Sequence, residues 1–325
     1  MWNGRQANGE RRRVMGPVVT RVVVMGVVVV TVLLSGGLLA LRLDDPTPDF
    51  GARRGAVARV VREAPSVEES HRIEAVTVVS TSGVSVPMLV KRPLSDEPAP
   101  LVLILGGHAT GKDAARLIPD TRGRVVVALS YPYAGPHRMK GLEVLKWAPD
   151  IRQALHDTPP AIQLALDWLL TQPWVNAREV HGVGASLGTP FMTVAAAIDP
   201  RITHVWSVHG AGRSRDLLVH NAKESMPALF APLAGQLADI IVGGPYLTPE
   251  QWVGRIAPRP YMMINASEDE RLPRPAIEAL YAAAAQPKSL LWMPGKHVQR
   301  GRPEIVRALV TTVLQRMEAT QTAGD

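Results

Sequence analysis

Glu179-Val180-His181-Gly182-Val183-Gly184-Ala185-Ser186-Leu187-Gly188-Thr189-Pro190 is the stretch whose reading decides the fold. Inside it, Gly184-Ala185-Ser186-Leu187-Gly188 is a G-x-S-x-G pentapeptide. Residues 175–183 read as a short buried strand, and residues 187–198 as an apolar helix rich in small side chains. A serine between them sits on a tight strand-to-helix turn. Such a turn forces the serine into strained backbone and lifts its hydroxyl clear of the sheet. The flanking glycines avoid collisions that a Cβ would make with the neighbouring strand or helix. The free N–H groups opening the helix favour developing negative charge.

Outward from this turn, the chain alternates apolar runs with helical patterns. Residues 73–80 and 84–91 form an expected β-hairpin about Ser82-Gly83. Residues 101–105 (LVLIL) and 124–129 (RVVVAL) are continuous apolar runs, as expected of strands buried on both faces. Further strands are expected at 202–208, 260–264 and 289–293. Helices are expected from 113, over 160–171, 275–285 and 303–317, with a polar, partly helical connection over 137–158. Alternating strands and helices imply a mostly parallel sheet covered on both faces. Residues 210–258 are too long for an ordinary connection and are expected to form a helical cap over the site.

The composition restricts the chemistry. The 325 residues are 46% hydrophobic and 20% charged, enough to bury a large core, and contain no cysteine. That excludes disulfides, a thiolate nucleophile and zinc–thiolate sites. The net charge of +7 is concentrated at the N-terminus. Residues 1–43 hold six arginines and one acid, leaving 30 of the 36 basic and 28 of the 29 acidic side chains to residues 44–325. A near-neutral body gives little electrostatic reason to expect a nucleic-acid partner.

Residues 22–41 carry no charge over twenty positions, long enough to cross a bilayer as a helix. Arg5, Arg11, Arg12, Arg13 and Arg21 precede them, whereas Arg42, Asp44 and Asp45 follow. The positive-inside bias therefore places the N-terminus in the cytoplasm and the body across the membrane. The segment is expected to be an uncleaved anchor, the alternative being a signal peptide cut near Ser35-Gly36-Gly37, with secretion of the body. Arg11-Arg12-Arg13 is also weakly twin-arginine-like. The expected domains are a basic segment and anchor at 1–43, a Pro-containing linker at 44–70 and the main domain at 71–325.

A serine hydroxyl needs a base, and the base needs an orienting carboxylate, all in loops at the C-terminal ends of strands. Asp269 follows the 260–264 strand and His297 follows the 289–293 strand. Ser186, Asp269, His297 is the chain order of the nucleophile-elbow class. Glu268 and Glu270 flank Asp269, Asp216 follows the preceding strand, and all three stand as alternative acids. His209 also ends a strand, and is expected to line the pocket or to be a solvated or capping residue.

Over roughly residues 71–320 the chain resembles the α/β-hydrolases, especially dienelactone-hydrolase-like and acetyl-xylan-esterase-like members. The residues that carry the likeness are Gly184-Ala185-Ser186-Leu187-Gly188, the segment 256–264 leading into 267–273, and Gly295-Lys296-His297. The resemblance implies Ser186 as nucleophile, His297 as base and Asp269 as its acid. It implies an oxyanion hole from the Leu187 N–H and a donor at His108 or Ala109, where many relatives instead carry His-Gly after this strand. The implied activity is hydrolysis of a small-molecule carboxylic ester through an acyl-enzyme, with no metal or organic cofactor. A serine peptidase and a non-catalytic binding protein of the same fold are the alternatives. Ser186 stands where a haloalkane dehalogenase has aspartate.

Overall fold

The computed structural model describes residues 17–136, 139, 143–224 and 226–321, and side chains from 25 to 319. Arg5 and Arg11 to Arg13, and part of the 137–158 connection, lie outside the described residues. The chain divides into two compact units, Met1–Leu43 and Asp44–Asp325.

In the first unit, helix α1 (Pro17–Leu43) contains the apolar stretch Met25–Leu43, long and apolar enough to cross a membrane.

The second unit starts with α2 (Phe50–Arg54), β1 (Val57–Arg62), β2 (Ser66–Glu68), β3 (His71–Ser80), β4 (Ser85–Pro93), β5 (Ala99–Leu105) and β6 (Val125–Leu129). Next come α3 (Glu143–Leu169), β7 (Val175–Ala185), α4 (Gly188–Ile198) and β8 (His204–Val208). Helices α5 (Ser214–Ala222), α6 (Ala231–Ile241) and α7 (Gly244–Leu247) fill the expected insertion, and β9 (Tyr261–Ala266), α8 (Arg274–Ala283), β10 (Lys288–Met293) and α9 (Pro303–Gln321) complete the unit.

The main sheet order is β1-β3-β4-β6-β5-β7-β8-β9-β10, with β2 paired to β3. The β1, β3, β4 and β6 pairings are antiparallel, and every pairing from β6 through β10 is parallel. Side-chain alternation sends Leu101, Leu103 and Leu105 to one face, against α3, α4 and α8. Val102 and Ile104 go to the other, against α9 and the 3-10 stretch Gly111–Leu117. Both faces are apolar, which is why these strands read as uninterrupted hydrophobic runs.

Three sequence expectations are corrected. Residues 44–70 are not a linker: α2, β1 and β2 belong to the second unit, and β1 extends the sheet by pairing with β3. Arg62 fixes that edge by a two-pronged ion pair to Glu74. The helix expected over 160–171 is part of a longer one described over Glu143–Leu169, which runs through Pro149, Pro159 and Pro160. Nearly every side chain from His156 to Leu166 is buried, and that packing outweighs the missing N–H donors. After β5 the chain forms only the short 3-10 stretch in place of a helix.

Candidate active site

The β7–α4 turn is held open by glycine. A Cβ on Gly182 would lie 2.8 Å from side-chain atoms of Ile202 and Met192, and one on Gly184 would lie 2.7 Å from the Thr189 Cα. A Cβ on Gly188 would overlap the Leu105 carbonyl oxygen. With no side chain at these positions, α4 starts directly against β5 and β7. Ser186 adopts φ +52° as a result, a left-handed conformation rare for a non-glycine residue. Its N–H donates to the Val208 carbonyl at 2.9 Å, and its carbonyl accepts from Thr189 N–H at 3.0 Å.

Two further strand ends meet this serine. Ser186 Oγ is 2.8 Å from His297 Nε2, and His297 Nδ1 is 2.8 Å from Asp269 Oδ2. The other Asp269 oxygen accepts the N–H groups of Arg271 and Leu272 at 2.9 Å each. Asp269 and His297 side chains are 1% and 3% exposed. Burial works against the charge on Asp269. The neighbouring His209 ring, the hydrogen bond from His297 Nδ1–H and the Leu272 N–H outweigh it and hold the carboxyl well below the usual range. An ionised Asp269 selects the His297 tautomer that carries hydrogen on Nδ1. The lone pair on Nε2 is then free to face the serine hydroxyl.

The alternative acids lie elsewhere or have other partners. Glu268 is exposed, and Asp216 is 60% exposed on α5, 3.8 Å from Arg213. Glu270 holds the histidine loop: it accepts the His297 backbone N–H at 3.0 Å and pairs with Arg302 at 2.6 Å. Burial opposes ionisation of Glu270, but these donors bring its carboxyl from an ordinary 4.5 to about 2.

His209 is neither solvated nor a cap, which corrects the expectation for it. It is 1% exposed and its ring stands edge-on to that of His297, centroids 5.4 Å apart. Its Nδ1 accepts the Val298 N–H at 3.1 Å and lies 3.5 Å from Asp269 Oδ2. One nitrogen cannot accept the first and donate to the second in the same state. The shorter, better-formed contact is the one from Val298, so His209 supports the backbone beside His297. Only the pairing of β8 beside β9 brings it there.

Nδ1 or Nε2 of His209 and His297 and a carboxylate oxygen of Asp269 lie within 4.8 Å of one another. Each already has a partner within this network, so the donor set forms a hydrogen-bonded relay, and a cation would have to break it to bind.

Leu187, His108 and Ala109 line the same cavity as Ser186 and His297. Among the described residues, the backbone N–H groups of Leu187 and Ala109 donate to no protein acceptor. The His108 ring packs between Tyr131 and Tyr133, and Tyr131 donates its hydroxyl to the Gly106 carbonyl at 2.9 Å. Two cavities open on Ser186: one of about 550 Å³ toward α9, and one of about 390 Å³ between α4 and the 210–258 segment. Neither is lined by an aspartate or glutamate among the described residues.

With this geometry in place, comparison with known proteins identifies the fold. No family model matches the chain. The acetyl xylan esterase 1 of Thermoanaerobacterium sp. JW/SL YS485 superposes with TM-score 0.58 at 15% identity, covering 82% of this chain and 93% of that one. The acetyl xylan esterase of Paenibacillus sp. R4 gives 0.57 at 15%, covering 86% and 93%. A cold-adapted esterase from an Arctic intertidal metagenomic library gives 0.52 at 17%, covering 78% and 97%. The chain has the α/β-hydrolase fold. Among curated sequences, it is 38% identical over 95 residues to a UDP-N-acetylmuramoylalanine--D-glutamate ligase of Thermus thermophilus. That match spans 27% of this chain and 22% of the ligase.

Proposed function

We propose that this protein is a serine hydrolase that cleaves carboxylic esters through an acyl-enzyme. The observation that carries the reading is the chain Ser186 Oγ to His297 Nε2 to Asp269, both links 2.8 Å, on an elbow with positive φ. In this reading His297 Nε2 takes the Ser186 proton as Oγ attacks the ester carbonyl carbon. The Leu187 N–H, with that of Ala109 or His108, receives the oxyanion. Collapse breaks the C–O bond, and His297 returns the proton to the leaving alcohol. Water then repeats the sequence on the acyl-enzyme and releases the acid. Asp269 keeps His297 in the required tautomer and balances its transient charge.

The cavity linings favour an ester over a peptide read from its amino terminus, because among the described residues no carboxylate lines them to receive an ammonium group. The likeness to esterases supports the same class. Residues 210–258 act as a cap that roofs the smaller cavity. Residues 1–43 act as an anchor, with the catalytic unit on the extracytoplasmic side, since five of the six arginines lie on the N-terminal side of the apolar stretch.

The test is hydrolysis of p-nitrophenyl acetate by wild type, Ser186→Ala, His297→Ala and Asp269→Asn. Losses of roughly 10⁴-fold or more in kcat for each folded variant are expected. A folded Ser186→Ala protein with wild-type turnover refutes the reading.

A further inference from the structure

The sheet face under α9 is thinly covered. Between β5 and β6 only the stretch Gly111–Leu117 lies across it. Helix α9 presents a single apolar stripe there: Val306, Leu309, Val310, Val313, Leu314 and Met317, at helical spacing. The facing wall is Val102 and Ile104 on β5 and Val183 on β7. The cavity of about 550 Å³ lies between these walls, with Ser186 and His297 at one end of α9, and the fully buried Met317 closes the other. Protein interiors are packed to crystal density with few voids larger than a water molecule. An apolar space of this size opening on a nucleophile has instead the dimensions of a ligand pocket, roughly 300–1,000 Å³. Apart from Ser186 and His297, its polar side chains, His108, Thr110, Arg271, Gln299 and Arg300, lie outside the α9 stripe and the facing strand wall.

Resting on the esterase reading above, we infer that this channel binds an aliphatic chain of the ester, making medium-chain aliphatic esters the substrate class. Positions 306–314 span about 12 Å at roughly 1.5 Å per helical residue, up to the fully buried Met317. An extended chain advances about 1.2 Å per bond, taking the ~3.5 Å that three backbone bonds cover. The channel therefore receives on the order of ten carbons. The chain comes from either the acyl or the alkoxy side, because His297 and Ser186 stand at the mouth and serve both.

The test uses the full chain in lipid nanodiscs, with p-nitrophenyl esters from acetate to dodecanoate and, for the alkoxy side, methyl to dodecyl acetates. Each methylene added up to about C10 should raise kcat/KM by up to about fourfold in one of the two series. Val313→Trp, which fills the deep end of the channel, should cut kcat/KM for the C10 member of that series at least tenfold and leave acetate or methyl acetate within about twofold. A wild-type preference for the shortest member of both series overturns the inference, and needs no variant to be folded. So does a folded Val313→Trp protein that keeps the long-chain preference. If p-nitrophenyl acetate is not hydrolysed and Ser186 resists a fluorophosphonate, the esterase reading itself falls, and this inference with it.

Discussion

Gly184→Ala tests the elbow geometry directly. The new Cβ would lie 2.7 Å from the Thr189 Cα, 2.9 Å from the Gly188 carbonyl oxygen and 3.0 Å from the Met192 Cβ. Two of these are backbone atoms at the start of α4, so no rotamer change relieves them. Ordinary contact begins near 3.4 Å, so the turn and α4 must retreat by roughly 0.5–1 Å. Overpacking of this kind costs about 1–3 kcal/mol. In a unit of this size that lowers Tm by roughly 2–9 °C. The catalytic cost is larger, because Ser186 rides on the displaced turn: a misplacement near 1 Å reduces rate about 10²-fold. The assay pairs thermal melting with kcat/KM on p-nitrophenyl acetate. Gly51→Ala in α2 is the control, since nothing lies within 4 Å of its Cβ and φ there is not positive. It should melt at or slightly above the wild-type temperature. A Gly184→Ala protein with wild-type Tm and wild-type kcat/KM refutes the claim that this turn is sterically fixed.

His209→Ala removes the acceptor of the partly buried Val298 N–H and should destabilise the protein by about 1–3 kcal/mol. With the backbone beside His297 loosened, kcat should fall about tenfold and KM stay level; unchanged kcat contradicts the supporting role. Glu270 has a folded-state carboxyl lowered to about 2 from 4.5, so its stabilising contribution is present above about pH 4.5 and is lost as pH falls toward 2. Glu270→Gln should therefore flatten the loss of Tm between pH 5 and 2, and an unaltered pH profile counts against that assignment. Full-length protein should stay with membranes through an alkaline carbonate wash, with the catalytic unit protease-accessible from the extracytoplasmic side. A mature N-terminus near Ser35 to Gly37 would identify a cleaved signal instead.

The parallel half of the fold was legible because its central strands are buried on both faces. LVLIL at 101–105 and VVVAL at 125–129 advertise that burial in every residue. The sheet edge was not. β1 is exposed at five of six positions, so it has no alternation to read, and only its partner β3 makes it a strand. Helix α3 was misread for a related reason: Pro159 and Pro160 are local stop signals, and the packing that overrides them is tertiary. In the candidate site, Ser186, Asp269 and His297 carry signals in motif and chain order. His209 carries none, since its role depends on a neighbouring strand end and the backbone of residue 298. The α9 channel was equally invisible, because it arises from a helix that fails to form after β5.

Whether Ser186 is an activated nucleophile is decided most directly by treating the full chain with a fluorophosphonate and mapping the adduct by peptide mass spectrometry. The account predicts one phosphonylated residue, Ser186, with labelling lost in Ser186→Ala and slowed by orders of magnitude in His297→Ala. Folded wild-type protein that takes up no label, or that is labelled elsewhere while Ser186 stays unmodified, contradicts it.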